Sequence, residues 1–210
     1  MSNTQPSLWN STVLLRPIAE QDIEAFSDIA FDNRIWQYFV TNAGDQEGIR
    51  KFVLIALRDM ANGSRMPYTV IDRHSGKVAG SMSFSNHSVA DSRIEIGWSW
   101  LGVLFQGTVI NSNAKYLLMK YAFEILQSQR VEFKTDVLNL RARAALKKIG
   151  AQEEGVLRSH TLMPGGRRRN TIYYSVLSDE WSNVAALLTA KGVCTKEWGY
   201  SHDADEPPGN

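Results

Sequence analysis

Residues 105–124 read FQGTVINSNAKYLLMKYAFE, a glycine-bearing turn that runs straight into an amphipathic helical pattern. The first backbone N–H groups of such a helix lack partners within it, and the helix adds about half a positive charge at that end, so a phosphate is a natural ligand. Gly107 lets a ligand approach the backbone closely, and residues 103–113 contain no Asp or Glu to repel an anion. Val109 stands where a phosphate-gripping loop more often has a second glycine; being β-branched, it is expected at negative φ. By itself the turn is more often a plain connection than a site. Upstream, Glu95 interrupts RIEIGWSWL on its less apolar face, where it is free to bond at a strand edge or to pair with Arg93 or Lys134. Downstream, Asn139 precedes a short helix that it can cap.

Other chemistry is thin. His74, His87 and His160 lie in separate segments without metal-ligand spacing, so no metal site is expected. Cys194 is the single cysteine, which excludes an intrachain disulfide and paired-thiolate metal sites. The run GGRRR at 165–169 suits an acidic substrate, a ribosomal surface or RNA, or simply a solvated hairpin tip. Lys and Arg total 23 against 22 Asp and Glu, so nothing in the overall charge calls for nucleic acid or an anionic membrane. No apolar run is long enough to cross a bilayer and no leader pattern opens the sequence, which points to a soluble cytoplasmic chain. At 210 residues with 43% hydrophobic side chains it can bury one substantial core.

The elements that must position these residues follow from periodicity. A strand at 13–18 leads into a helix with Ile23, Phe26, Ile29 and Ala30 on one face. A second helix carries Ile49, Phe52, Val53, Ala56, Leu57 and Met60 and stops at Gly63. PYTVI and KVAGSMSFS read as two strands across a glycine turn, and in RIEIGWSWL Ile94, Ile96, Trp98 and Trp100 alternate with Glu95, Gly97 and Ser99. The amphipathic helix from about Asn111 follows, then a strand at 131–138, a short helix ending at Gly150, a long hairpin, and a last helix capped by Ser178. This order predicts an α/β (α+β) fold: a mostly antiparallel mixed sheet, helices on both faces and one central βαβ crossover, with the chemistry beside that crossover. Residues 1–12 read as an extension, 13–193 as the domain, and 194–210 as a polar tail without periodicity.

As an ordered set, EIGWSWLGVLFQGTVINSNAKYLLMKYAFE and TDVLNLRARAALKKIGAQEEGVLRSH resemble the GNAT superfamily of acetyl-CoA-dependent N-acetyltransferases, in its ribosomal-protein N-acetyltransferase-like branch, with similarity running from VLLRPI to YYSVL. The superfamily's cofactor loop, Gln/Arg-x-x-Gly-x-Gly/Ala, is met by Gln106 and departed from at Val109 and Asn111, while GTxxN followed by AK resembles a variant of that branch. The resemblance implies acetyl-CoA held by Trp100, Gln106, Gly107, Thr108, Val109, Ile110 and Asn111, with Asn139 near the pantetheine arm; from the short helix Arg143 or Lys147 can reach a phosphate or simply form a solvated face. It implies Glu95 as the base that takes the proton of a primary amine attacking the thioester directly, and Trp36, Tyr38 and Phe39 as an exposed aromatic border of the acceptor pocket. Many relatives place a serine three residues after the asparagine as a thiolate proton donor; Ala142 stands here, leaving water, Ser175 or Tyr173 as substitutes. The partners expected are acetyl-CoA and an amine, with no membrane or nucleic acid, and a homodimer is allowed through sheet edges or the Trp181 helix. A non-catalytic acyl-CoA-binding module of the same fold is the alternative.

Overall fold

A computed structural model describes residues 5–202. Residues 1–4 of the expected extension and 203–210 of the expected tail lie outside the described residues. The strands are β1 (Ser7–Trp9), β2 (Val13–Pro17), β3 (Arg65–Asp72), β4 (Val78–Ser88), β5 (Arg93–Leu101), β6 (Arg130–Asp136), β7 (Gln152–Leu162), β8 (Arg168–Leu177) and β9 (Gly199–Ser201). The helices are α1 (Asp22–Ala30), α2 (Asn33–Trp36), α3 (Gln46–Ala61), α4 (Ile110–Lys120), α5 (Leu140–Lys148) and α6 (Trp181–Ala190). All strands join one sheet in the order β7-β8-β6-β5-β4-β3-β2-β1-β9. Every pairing is antiparallel except β5 with β6, which α4 connects as the predicted crossover.

Each face of the sheet carries its own core. On one, Leu15, Tyr68, Val70, Met82, Phe84, Ile94 and Ile96 pack with Ala114, Leu117 and Leu118 of α4 and with Val184 and Leu188 of α6. On the other, Trp100 meets Phe26 of α1, Trp36 of α2 and Ile49, Phe52, Val53 and Ala56 of α3. The buried residues of α3 recur every three to four positions, and full burial of each large one contributes about 1.5–3 kcal/mol. The Asp45 side chain accepts from the Gly48 N–H at 2.7 Å to start that helix, and Gly63, at φ +72°, turns the chain into β3. Past Lys120 the helix widens into a π-helical turn over Tyr121–Ile125, within which Tyr121 and Phe123 are buried.

The structure adds three details to the sequence reading. Within the expected extension and tail, β1 pairs with β2 and β9 adds itself to β1, so these described segments join the same sheet. Three-residue strands are too short to carry a periodic signal, which is why they read as irregular. The last helix starts at Trp181 after Glu180, not at Ser178, whose hydroxyl donates to Gln129 Oε1 at 2.8 Å. Finally, α2 is a single helical turn whose start Asp32 caps by accepting from the Arg34 N–H at 2.9 Å.

Candidate active site

The site begins where the sheet splits. β5 and β6 pair only over Arg93–Glu95 and Arg130–Glu132. Beyond Glu95 the strands part, and the edge of β5 that faces β6 has backbone groups for a ligand to bond. The right-handed twist of strands favours such divergence, and a bulge fixes it here. Ser81 pairs with Trp100 and Ser83 with Gly97, so Trp98 and Ser99 together oppose Met82. Trp98 takes φ +51°, a left-handed conformation that costs a bulky residue about 1–3 kcal/mol. The extra residue also shifts the side-chain parity. Strict alternation would place Ile94, Ile96, Trp98 and Trp100 on one face; instead the two isoleucines join the α4 core, and both tryptophans pack with the α1–α3 core, the face of Glu95 and Gly97. Gly80 permits the close approach of β4, since a Cβ there would lie 2.1 Å from the Trp100 carbonyl oxygen.

Glu95 is 4% exposed and lines a cavity of about 650 Å³ in the split. Its Oε2 accepts from Asn86 Nδ2 at 2.6 Å and pairs with Lys134 Nζ at 2.7 Å. Of the two partners open to it from sequence, Lys134 is the one it meets; Arg93 turns to Glu132 and Asp91. Oε1 points over Gly97, where a Cβ would stand only 2.8 Å away. Gly97 therefore makes room for the carboxylate. A buried carboxylate fixed by a lysine and an amide, with its second oxygen directed along the cavity wall, is placed to accept a proton from a group bound there.

At the far end of the same cavity stands the turn before α4. Gly107 sits at φ +78° with nothing within 4 Å of where a Cβ would be, so a ligand can approach its backbone. Val109 takes φ −70°, the negative value expected of a β-branched residue, and is half exposed. Gln106, Gly107, Asn111, Asn139 and Trp100 line the cavity. Thr108 and Val109 do not, and Ile110 is 4% exposed with its side chain in the core; the Thr108 hydroxyl donates to the Phe105 carbonyl at 2.7 Å and accepts from the Ile110 N–H at 3.3 Å. Asn139 caps α5, its Oδ1 accepting from the Ala142 N–H at 3.0 Å. Arg143 turns away, donating to Tyr174 Oη at 3.2 Å and to the Val137 carbonyl at 3.1 Å, while Arg141 lines the cavity and bonds Gln106 Oε1. On a helix that begins at Leu140, the two arginines lie two residues apart and so point in different directions.

Several groups on the cavity wall had no signal in local sequence. Lys115, on α4, is 6% exposed and donates to Asn111 Oδ1 at 2.6 Å; burial pulls its ammonium down to about 8. Arg169, expected in a solvated tip, is 6% exposed and its Nε donates to Thr171 Oγ1 at 2.9 Å. The rest of the run, Gly165–Arg168, is exposed as a hairpin tip should be, with Arg167 paired to the fully buried Asp136 and Arg168 bonding Ser159. His160, at 3.1 Å from Thr171 Oγ1, also lines the cavity. Tyr38 and Phe39 border it, but Trp36 is 5% exposed and stands behind them, donating to the Ala30 carbonyl and packing on Trp100 at 5.1 Å between ring centroids. Ser175 donates to Glu154 and Tyr173 packs on His160; neither lines the cavity. Among the described residues no cluster of three or more His, Cys, Asp or Glu is placed to hold a metal, and no helix is long and apolar enough to cross a membrane.

Comparison with known proteins places the chain by sequence and by fold. The profile of the acetyltransferase (GNAT) domain matches residues 12–152. The Bacillus subtilis protein named "Putative ribosomal N-acetyltransferase YdaF" is 28% identical over 177 residues, covering 82% of this chain and 94% of its own. Among solved structures, a "putative acetyltransferase from T. thermophilus" is 33% identical and superposes with a TM-score of 0.79 over 88% of this chain and 96% of its own. The ribosomal-protein-S5-alanine acetyltransferase of Vibrio fischeri shares the fold, with a TM-score of 0.65 at 20% identity over 83% of this chain and 98% of its own.

Proposed function

Because the chain belongs to the acetyltransferase (GNAT) domain family and is an acetyltransferase, we propose that it moves the acetyl group of acetyl-CoA to a primary amine by direct attack on the thioester, with Glu95 as base. The observation that carries this reading is the juxtaposition in one cavity of a buried carboxylate, the unpaired edge of a splayed strand and a glycine turn at a helix start. Backbone N–H groups around Gly107 suit the pyrophosphate, with Arg141 and Lys115 supplying positive charge nearby. The β6-facing edge of β5 beyond Glu95 suits the amides of the pantetheine arm.

The acceptor enters from the side of Tyr38 and Phe39. Its nitrogen forms a bond to the acetyl carbon, the carbon–sulfur bond breaks, the amine proton passes to Glu95, and the thiolate leaves with coenzyme A. Lys134 and Asn86 fix the Glu95 carboxylate in place. Positioning alone can lower the barrier by about 7–11 kcal/mol, which makes the lost serine at Ala142 tolerable, since a coenzyme thiolate can be protonated by solvent. The test is to incubate the protein with acetyl-CoA and a mixed library of amines and peptides, then search by mass spectrometry for an acetyl increment. Transfer to an amine nitrogen supports the reading. Acetyl-CoA binding with no transfer assigns a non-catalytic binding module instead.

A further inference from the structure

Arg65 opens β3 on the wall of the same cavity, and its bonding is incomplete. It is 4% exposed, yet its Nε and Nη1 make no hydrogen bond. The nearest carboxylate oxygen, Asp59 Oδ2, lies 3.7 Å from Nε, and the other oxygen of Asp59 is taken by Arg58 at 2.8 Å. The guanidinium rests instead on aromatic faces, 4.4 Å from the centroid of Trp98 and 5.9 Å from that of Phe52. Burial lowers its pKa below the ordinary value, with Asp59 only partly compensating. Leaving charged donors buried and unpaired is costly, and a ligand that completes them offsets that cost.

Its neighbours point to which ligand. Arg65 pairs across the sheet with Ser85, and Ser85 with Glu95, so the three form one cross-strand row. Ser85 Oγ is likewise buried without a partner. All three line the cavity. Strands stand about 4.8 Å apart, so the backbones of Arg65 and Glu95 are about 10 Å apart, and both side chains rise from the same face. The guanidinium fork matches a planar carboxylate, while the carboxylates of Asp59 and Glu95 in the same cavity disfavour a doubly charged phosphate.

We infer that Arg65 and Ser85 form a carboxylate subsite, and that the acceptor is a primary amine that also carries a carboxylate, its nitrogen toward Glu95 and its acid on Arg65. This deepens the proposed function and rests on it for the direction of the amine. The strained Trp98 has a second purpose here: its ring holds the guanidinium with the donor edge free.

The experiment compares matched acceptors: a free amino acid, its α-carboxamide, an acidic dipeptide and the corresponding dipeptide with its side-chain acid amidated. For each pair, acetyl transfer and direct calorimetric binding to the full chain with coenzyme A are measured, on wild type and on Arg65→Met and Arg65→Lys. The carboxylate member of one pair is expected to exceed its amide in kcat/KM and in affinity by about 10- to 100-fold, the range of one charge-assisted interaction. The acid-to-amide ratio falls toward one in Arg65→Met and recovers partly in Arg65→Lys. The pair that shows the preference tells whether the acid belongs to a free amino acid or to a peptide. Equal treatment of acids and amides by wild type overturns the subsite even if acetyl transfer is robust, and needs no variant to fold. An equal loss on both members in Arg65→Met marks a structural arginine and also overturns it. Selective binding of acids without transfer to any amine leaves the subsite standing and overturns the acetyl-transfer reading.

Discussion

Glu95 and Arg65 show how differently two charged residues of one cavity can be read. Glu95 was legible as a candidate because the family resemblance marks the polar residue of that alternating strand, and its choice of lysine partner needed coordinates. Arg65 was not, because it sits at a strand start where an arginine is ordinary; only the folded row from Arg65 through Ser85 to Glu95 gives it meaning. Lys115 is a similar case, hidden within a helical stripe and then buried on the cavity wall. With its ammonium drawn down to about 8, the neutral form contributes stability that is full above the ordinary lysine value of 10.5 and lost as the pH falls through about 8. Lys115→Met should therefore raise stability relative to wild type more near neutral pH than at strongly alkaline pH, as urea denaturation will show. A phosphate bound nearby has the opposite pull and raises the lysine's pKa. Acetyl-CoA binding just above pH 8 should then take up a proton and weaken as the pH rises; calorimetry in buffers of different ionisation heat should find that uptake in wild type and none in Lys115→Met.

Among the elements, long periodic ones were readable and the exceptions to periodicity were not. The helices α3 and α4 and the strands of the central sheet fall near their expected bounds because three- to four-residue and two-residue repeats are strong signals. The bulge at Trp98 is a local violation that no repeat announces, yet it decides which face receives the tryptophans and where β5 leaves β6. Gly80 carries this arrangement from the neighbouring strand, at φ +155° and against the Trp100 carbonyl. Gly80→Ala puts a methyl group into backbone, which cannot yield as a side-chain end would. Thermal and denaturant unfolding should show a loss of at least about 1–3 kcal/mol, and the remaining folded protein should bind acetyl-CoA more weakly because the end of β5 has moved.

Across the whole molecule, a buried polar network ties the segments at Asn10 and Cys194 to the helix that follows the Gly107 turn. Asn10 Nδ2 donates to Asn113 Oδ1 and to the Cys194 carbonyl, each at 2.9 Å; the Cys194 N–H donates to the same Asn113 Oδ1 at 3.0 Å; and Asn113 Nδ2 donates to the Val109 carbonyl at 2.9 Å. Asn10 and Asn113 are both fully buried. No stretch of sequence reveals contacts spanning residues 10, 113 and 194, so the reading of 1–12 and 194–210 as an extension and a tail missed that the described parts brace α4. Asn113→Ala strands two donors and should cost about 2–5 kcal/mol in denaturant unfolding, with a double-mutant cycle against Asn10→Ala returning clear coupling. What this bracing steadies is the cavity in which, on the proposed reading, an acetyl group meets an amine beside Glu95. The direct measurement is single-turnover transfer from acetyl-CoA to an acceptor amine by wild type and Glu95→Gln, with acetyl-CoA affinity determined on the same preparations. A fall in rate of about 10²- to 10⁴-fold with affinity retained is the predicted result; a Glu95→Gln protein that transfers acetyl groups at the wild-type rate would contradict the account.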